Sequence, residues 1–280
     1  MDFDNTFFSI LIIPFIISLI VTLGIRISFR NNSLKNLSTI GVGISIIASY
    51  IYIIGIPKFN FDQSFKIPYI IIFSIIFGFF LDLFIPKLDF IRRVLIISIP
   101  LLFLIWVSSS SNTDLNETVG LVKFIIAFII TVILGFSLSD HDNESNEVAI
   151  LLLMASLGIA FLSKLSGDNN SFQISLIISS SISGLIVISI LNNKFILNTC
   201  ILIGVGAPVV TLGNNMVFNS NINAISFLLL VLIFFVDKFI ILPSGLGKIN
   251  SFIRAMFIMF ASMIIILSSI SIYFLDKFLN

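Results

Sequence analysis

Residues 7–26 read FFSILIIPFIISLIVTLGIR, an uncharged apolar run that ends at Arg26. An α-helix rises about 1.5 Å per residue, so a run of this length crosses the hydrocarbon layer of a bilayer, which is about 30 Å thick. The residues in front of the run are Asp2 and Asp4 rather than lysine or arginine, and the run is longer than the apolar core of a signal peptide. We therefore interpret it as a retained transmembrane helix.

The rest of the chain has the same apolar character. Of its 280 residues, 58% are hydrophobic and 10% are charged, and the mean hydropathy is +1.18. Soluble domains are about 45–50% apolar and about 25% charged, so water is not the main solvent of this protein. Its net charge of +1 is not gathered into basic clusters. Since binding to nucleic acid depends on clustered lysine and arginine, we expect no nucleic-acid partner.

Further runs on the scale of about 20 apolar residues follow one another to the C-terminus with short polar breaks between them. Short connections place consecutive helices side by side and antiparallel. The sequence therefore predicts an all-α fold, a polytopic membrane helix bundle of about ten transmembrane helices that forms a single transmembrane domain over residues 1–280. The predicted spans are 7–26, 37–56, 67–85, 94–108, 119–138, 147–164, 173–191, 196–213, 223–242 and 253–275.

The basic residues predict the orientation of these spans, because lysine and arginine favour cytoplasmic loops. One side of the predicted bundle carries ten of the 15 lysine and arginine residues, from Arg26 to Arg254, and the other side carries five. We therefore predict a multi-pass protein of the cell inner (plasma) membrane with both termini outside the cytoplasm. All tyrosine and tryptophan residues fall near the outer ends of their spans, which agrees with this orientation: Tyr50, Tyr52, Tyr69, Trp106 and Tyr273.

The eighth predicted span contains the densest group of helix breakers, Gly204, Gly206 and Pro208. Such a group indicates either a broken helix, whose released carbonyls need partners from neighbouring protein, or a place where small residues let two helices approach closely. The sequence does not decide between these two interpretations.

Carboxylates gather on the predicted cytoplasmic side. Asp82 ends the third span, Asp237 lies toward the end of the ninth, and residues 139–147 read SDHDNESNE. Oxygen-rich groups of this kind suit Mg²⁺, and basic residues on the same side suit a phosphorylated substrate. Each feature also has a plainer interpretation, because a carboxylate at a span end can simply reach water, which we favour for Asp237, and an acidic loop can be a solvated connection. The nearby cations are Lys35, Lys87, Arg92, Arg93 and Lys194.

In order and spacing these features resemble the polyprenyl-phosphate N-acetylhexosamine-1-phosphate transferases (glycosyltransferase family 4, phospho-N-acetylmuramoyl-pentapeptide transferase-like). The resemblance extends over nearly the whole chain. It is carried by residues 37–43 at the entry to the second span, by 78–83 with Lys87 and Arg92 beyond them, by 139–142, by 184–193 followed by 203–207, and by Val236-Asp237.

The resemblance implies transfer of a hexosamine 1-phosphate from a UDP-sugar to a polyprenyl phosphate in cell envelope polysaccharide synthesis, with Mg²⁺ as cofactor. It implies a catalytic role for Asp140 and Asp142, which together with Asp82 would also hold the metal. Substrate binding falls to Lys35, Lys87, Arg92, Asn193 and Lys194. The expected partners are the polyprenyl phosphate lipid, the nucleotide sugar, the membrane and, as a homodimer, a second copy of the chain.

The chain departs from the family at positions that matter for chemistry. Leu81 stands where the family has the first of two adjacent aspartates, and Gly204 stands where it has an aspartate that binds the metal. Two alternatives therefore remain open: a relative that has lost catalysis and acts as a binding or assembly partner, and, ranked last, a transporter. Transporters usually carry polar or ionisable groups at mid-membrane depth, and we expect none at the centres of the predicted spans.

Overall fold

The protein is described here by a computed structural model covering residues 3–28, 39–57, 63–84, 89–109, 118–139, 147–192, 199–219, 224–240 and 247–279. Every regular element in these ranges is helical, which confirms the predicted all-α fold. The helices are α1 (Phe3–Ser28), α2 (Ile40–Ile53), α3 (Gln63–Phe84), α4 (Asp89–Ser108), α5 (Thr118–Ser139), α6 (Glu147–Ser166), α7 (Asn169–Asn192), α8 (Thr199–Gly204), α9 (Gly206–Asn219), α10 (Ala224–Val231), α11 (Val236–Phe239) and α12 (Gly247–Leu279).

Eight of the predicted spans have helices long and apolar enough to cross a membrane, counted over the described ranges. The other two are shorter or interrupted. The second corresponds to α2, which has 14 residues, and the ninth to α10 and α11, which are separated by a 3₁₀ turn at Leu232–Phe235. The chain is thus a multi-pass membrane protein.

The spans differ strongly in how far they are buried within the bundle. The α8–α9 span is the most enclosed, since the whole window Cys200–Phe218 is buried, whereas only 22% of the α1 and α12 windows is buried. Because lipid tails are as apolar as leucine, the exposed isoleucine and phenylalanine side chains of α1 and α12 suit a lipid-facing surface. The least hydrophobic of the eight spans therefore lies at the centre of the bundle.

Serine hydroxyls hold α1, α2 and α7 together. Ser45 of α2 donates to the Pro14 carbonyl at 2.6 Å, and Ser18 of α1 donates to the Ser181 carbonyl at 2.6 Å. The Ser45 and Ser181 hydroxyls are 3.0 Å apart, and Ser180 donates to the Leu11 carbonyl, close to the proline in α1. Hydrogen bonds between helices and small side chains replace the hydrophobic effect as the source of cohesion inside a bilayer.

The antiparallel helices give the bundle two ends, which we name by one residue each. The Arg254 end contains Asp82, Glu147, Asp237 and Arg254, and the Trp106 end contains Lys66, Tyr69, Trp106, Leu165 and Tyr273. At the Trp106 end, the Tyr273 hydroxyl donates to the Leu165 carbonyl at 3.0 Å and the Tyr69 hydroxyl to the Pro57 carbonyl at 3.2 Å. The phenols thus lie together at one end, as the sequence predicts.

Candidate functional site

The central span breaks at Val205, between α8 and α9. Pro208 has no N–H, so the carbonyl four residues earlier, that of Gly204, receives no helical hydrogen bond from it. The hydroxyl of Ser74 on α3 lies 3.3 Å from that carbonyl and 2.9 Å from the Ile71 carbonyl of its own helix, and its single proton can be donated to either. A neighbouring helix thus offers a donor to the break, which is the condition for irregular backbone at membrane depth.

Helix α3 packs against this break through Gly78. A Cβ atom built on Gly78 would lie 2.9 Å from the Cα of Cys200 and 3.4 Å from the backbone nitrogen of Gly204. Only a residue without a side chain allows two helix backbones to approach this closely. The helix is thus interrupted only locally, since Val205 keeps its hydrogen bonds to Ile201 and from Val209, and it also packs against a neighbour through small residues.

Asp82 lies two turns from Ser74 on the same face of α3. Its Oδ2 accepts a hydrogen bond of 2.9 Å from the backbone N–H of Cys200, in the first turn of α8. Backbone N–H groups at a helix start have no partner within the helix. A carboxylate accepts their hydrogen bonds, and its negative charge is stabilised by the positive end of the helix dipole. Asp82 therefore has a structural role at the start of the central span, which sequence reasoning did not find.

A second charged group at the same end joins α6, α11 and α12. The Arg254 Nε lies 3.2 Å from a carboxylate oxygen of Glu147, and its Nη2 donates to the Asp237 carbonyl at 3.3 Å. Asp237 itself is only 6% exposed. The interpretation of Asp237 as a carboxylate that reaches water is therefore wrong, because the residue is buried.

The structure describes two of the site residues predicted from the sequence, Asp82 and the partly buried Arg92 near the start of α4. The remaining ones lie outside the described residues: Lys35, Lys87, Asp140, Asp142, Asn193 and Lys194. The described residues on either side of Asp140 and Asp142 are Ser139, which ends α5, and Glu147, which begins α6.

The described residues do not form a Mg²⁺ site by themselves. No group of three histidine, cysteine, aspartate or glutamate residues comes together within the described ranges. The carboxylate of Asp82 has one oxygen directed at the start of α8, and that of Glu147 pairs with Arg254. A magnesium ion at this end would therefore need ligands from outside the described residues.

A small apolar cleft lies between α5, α6, α9 and α10, and the roughly 280 Å³ of space around it that is free of protein atoms includes space outside the protein surface. It extends from Phe234, one turn from Asp237, to Phe227, two turns further into the bundle. Nine of the ten residues that line the cleft are buried, so it is largely enclosed within the bundle. The lining residues are Leu134, Ala155, Ile159, Val209, Val210, Gly213, Phe227, Leu230, Val231 and Phe234.

Comparisons with protein families, with curated proteins and with solved structures find no match for this chain.

Proposed function

We propose that this protein is a membrane sugar-1-phosphate transferase that moves a hexosamine 1-phosphate from a UDP-sugar to a polyprenyl phosphate. The observation that supports this proposal best is the apolar cleft between α5, α6, α9 and α10, which ends one turn from Asp237 at the charged end of the bundle. A long isoprenoid tail needs such an apolar surface, and its phosphate needs a polar end.

In this proposal the polyprenyl tail lies along the cleft and its phosphate reaches the Arg254 end. An oxygen of the lipid phosphate attacks the phosphorus that bears the sugar, the bond to the nucleotide phosphate breaks, and the nucleoside monophosphate leaves. Asp140 and Asp142, with Asp82, would hold a magnesium ion that neutralises the diphosphate. Lys35, Lys87, Arg92, Asn193 and Lys194 would bind the substrate phosphates or nucleotide.

One observation favours the second candidate, a relative without catalysis that acts as a binding or assembly partner. Asp82, a proposed metal ligand, already accepts the Cys200 N–H at the start of α8, and Gly204 offers no carboxylate nearby. Both features are expected if Asp82 now stabilises the packing of the helices and no longer binds a metal ion.

Activity in membranes separates these two candidates. We expect membranes that contain the full chain, supplied with radiolabelled UDP-N-acetylhexosamine, polyprenyl phosphate and Mg²⁺, to form a labelled lipid. Its formation should stop with EDTA and in the variant Asp140→Asn/Asp142→Asn. Well-folded protein that forms no labelled lipid with any of several donor sugars would instead favour the relative without catalysis.

Filling the cleft tests where the lipid binds. Ala155 is 2% exposed and lines the cleft, so the variant Ala155→Leu places added methyl groups where the tail would lie. Losing the burial of about two methylene groups should raise the KM for polyprenyl phosphate about tenfold and leave the KM for the UDP-sugar unchanged. Gly24→Leu is the control, because a Cβ on Gly24 meets no atom within 4 Å. Equal changes in both KM values would contradict lipid binding in the cleft.

A further inference from the structure

Lys66 is a buried cation at the Trp106 end, far from the proposed reaction. Only 6% of its surface is exposed. Its ammonium donates to the Trp106 carbonyl at 2.8 Å and to the Ser109 hydroxyl at 3.3 Å, and it lies 6.0 Å from the centre of the Trp106 ring. All three partners are neutral, and within the described ranges no carboxylate pairs with Lys66.

Among the described residues, no anion balances the charge of Lys66. The Trp106 carbonyl belongs to the last turn of α4, and the dipole of a helix places roughly half a negative charge at its C-terminus. A lysine carries a full positive charge, and burying a charge is costly unless an anion compensates it. The ammonium also has three donors, of which the two bonds to Trp106 and Ser109 use two.

The surface next to Lys66 faces lipid. Phe73, two turns along α3 from Lys66, is 54% exposed, and its ring lies 6.4 Å from that of Trp106. On α4, the neighbouring Leu102 and Ile105 are also exposed. Tyrosine and tryptophan side chains at a bundle end mark the level of the lipid headgroups, where the phosphates lie.

We propose that Lys66 binds the phosphate of an anionic phospholipid whose acyl chain lies on Phe73, Leu102 and Ile105. The negative phosphate supplies the charge that the helix end leaves unbalanced, and it accepts the third N–H of the ammonium. With the phosphate beside Lys66, the acyl chain of the lipid extends into the bilayer along the apolar side chains of α3 and α4. This site is independent of the proposed transferase activity, because it lies at the opposite end of the bundle.

The only tryptophan of the chain reports on this site directly. The full-length protein is reconstituted in phosphatidylcholine vesicles that contain a minor fraction of phosphatidylglycerol, with bromine on the acyl chains of one lipid or the other. Brominated phosphatidylglycerol should quench Trp106 as if it were about fivefold enriched over its bulk fraction, the effect expected of one lysine at the surface. Lys66→Gln should reduce the enrichment to none, and Lys66→Arg should retain it.

Lys164→Gln is the matched control, since Lys164 is an exposed lysine at the same end that bonds to Asn169. It should leave the quenching unchanged. Equal enrichment in Lys66→Gln and in the unaltered chain, or no preference in the unaltered chain, would overturn the proposal. If Lys66→Gln does not fold, the unaltered chain and Lys66→Arg still decide, because both must prefer phosphatidylglycerol. Loss of that preference in millimolar inorganic phosphate would assign the site to free phosphate instead of lipid.

Discussion

Gly78→Ala is expected to lower the free energy of unfolding by about 2 kcal/mol, although alanine is the better helix former. The added methyl group would lie 2.9 Å from the Cys200 Cα, and this is a backbone atom, which cannot rotate away. Helices α3 and α8 must therefore separate, which also weakens the hydrogen bond from the Cys200 N–H to Asp82. In detergent, the midpoint of thermal unfolding should fall by roughly 5 °C.

Gly24→Ala is the matched control for this prediction. Gly24 lies in α1, where a Cβ meets no atom within 4 Å, so the same chemical change should be neutral or slightly stabilising. A Gly78→Ala variant with the thermal midpoint of the unaltered chain would show that α3 and α8 can move apart at no cost.

The sequence predicts the helices well because in a bilayer a long apolar run has few alternatives to an α-helix. It predicts their interruptions less well. In the ninth span, nothing in the composition of residues 223–242 indicates the 3₁₀ turn at Leu232–Phe235. The released Phe234 carbonyl accepts a hydrogen bond of 2.9 Å from Ser137 of α5, so the partner lies 97 residues away and only the packed bundle reveals it.

The charged end illustrates a second limit of sequence reasoning. The sequence places Asp82, Glu147, Asp237 and Arg254 on one side of the membrane, and the structure brings the last three together. Their pairing depends on which helices are neighbours, and the alternation of spans does not determine that. For the same reason the capping of α8 by Asp82 is not visible in the motif, which fits a metal ligand equally well.

The polar interior of the bundle was likewise not predicted. Asn214 of the central span is fully buried and its Nδ2 donates to the Thr131 hydroxyl at 2.9 Å. The amide of Asn214 is neutral, so a search of the spans for ionisable residues does not find it. A hydrogen bond of this kind fixes α9 against α5. Both helices contribute residues to the lining of the apolar cleft.

Two variants of Asp82 are expected to separate its structural role from its proposed chemical role. Asparagine caps a helix about as well as aspartate, so Asp82→Asn should unfold at the same temperature as the unaltered chain. Alanine offers no acceptor to the Cys200 N–H, so Asp82→Ala should lose about 1 kcal/mol of stability. If the carboxylate also holds magnesium, both variants should lose activity by about a hundredfold, and Asp82→Asn should need more Mg²⁺ for half-maximal rate.

The comparison is decisive because it separates the negative charge of residue 82 from its hydrogen bond. Ser74→Ala is the control on the same face of α3: it removes the donor to the Gly204 carbonyl and should cost about 1 kcal/mol of stability, with the Mg²⁺ dependence unchanged. An Asp82→Asn variant with full activity would mean that the acidic residue at the end of α3 serves only to start the central helix. The proposed metal site would then consist of Asp140 and Asp142 without it.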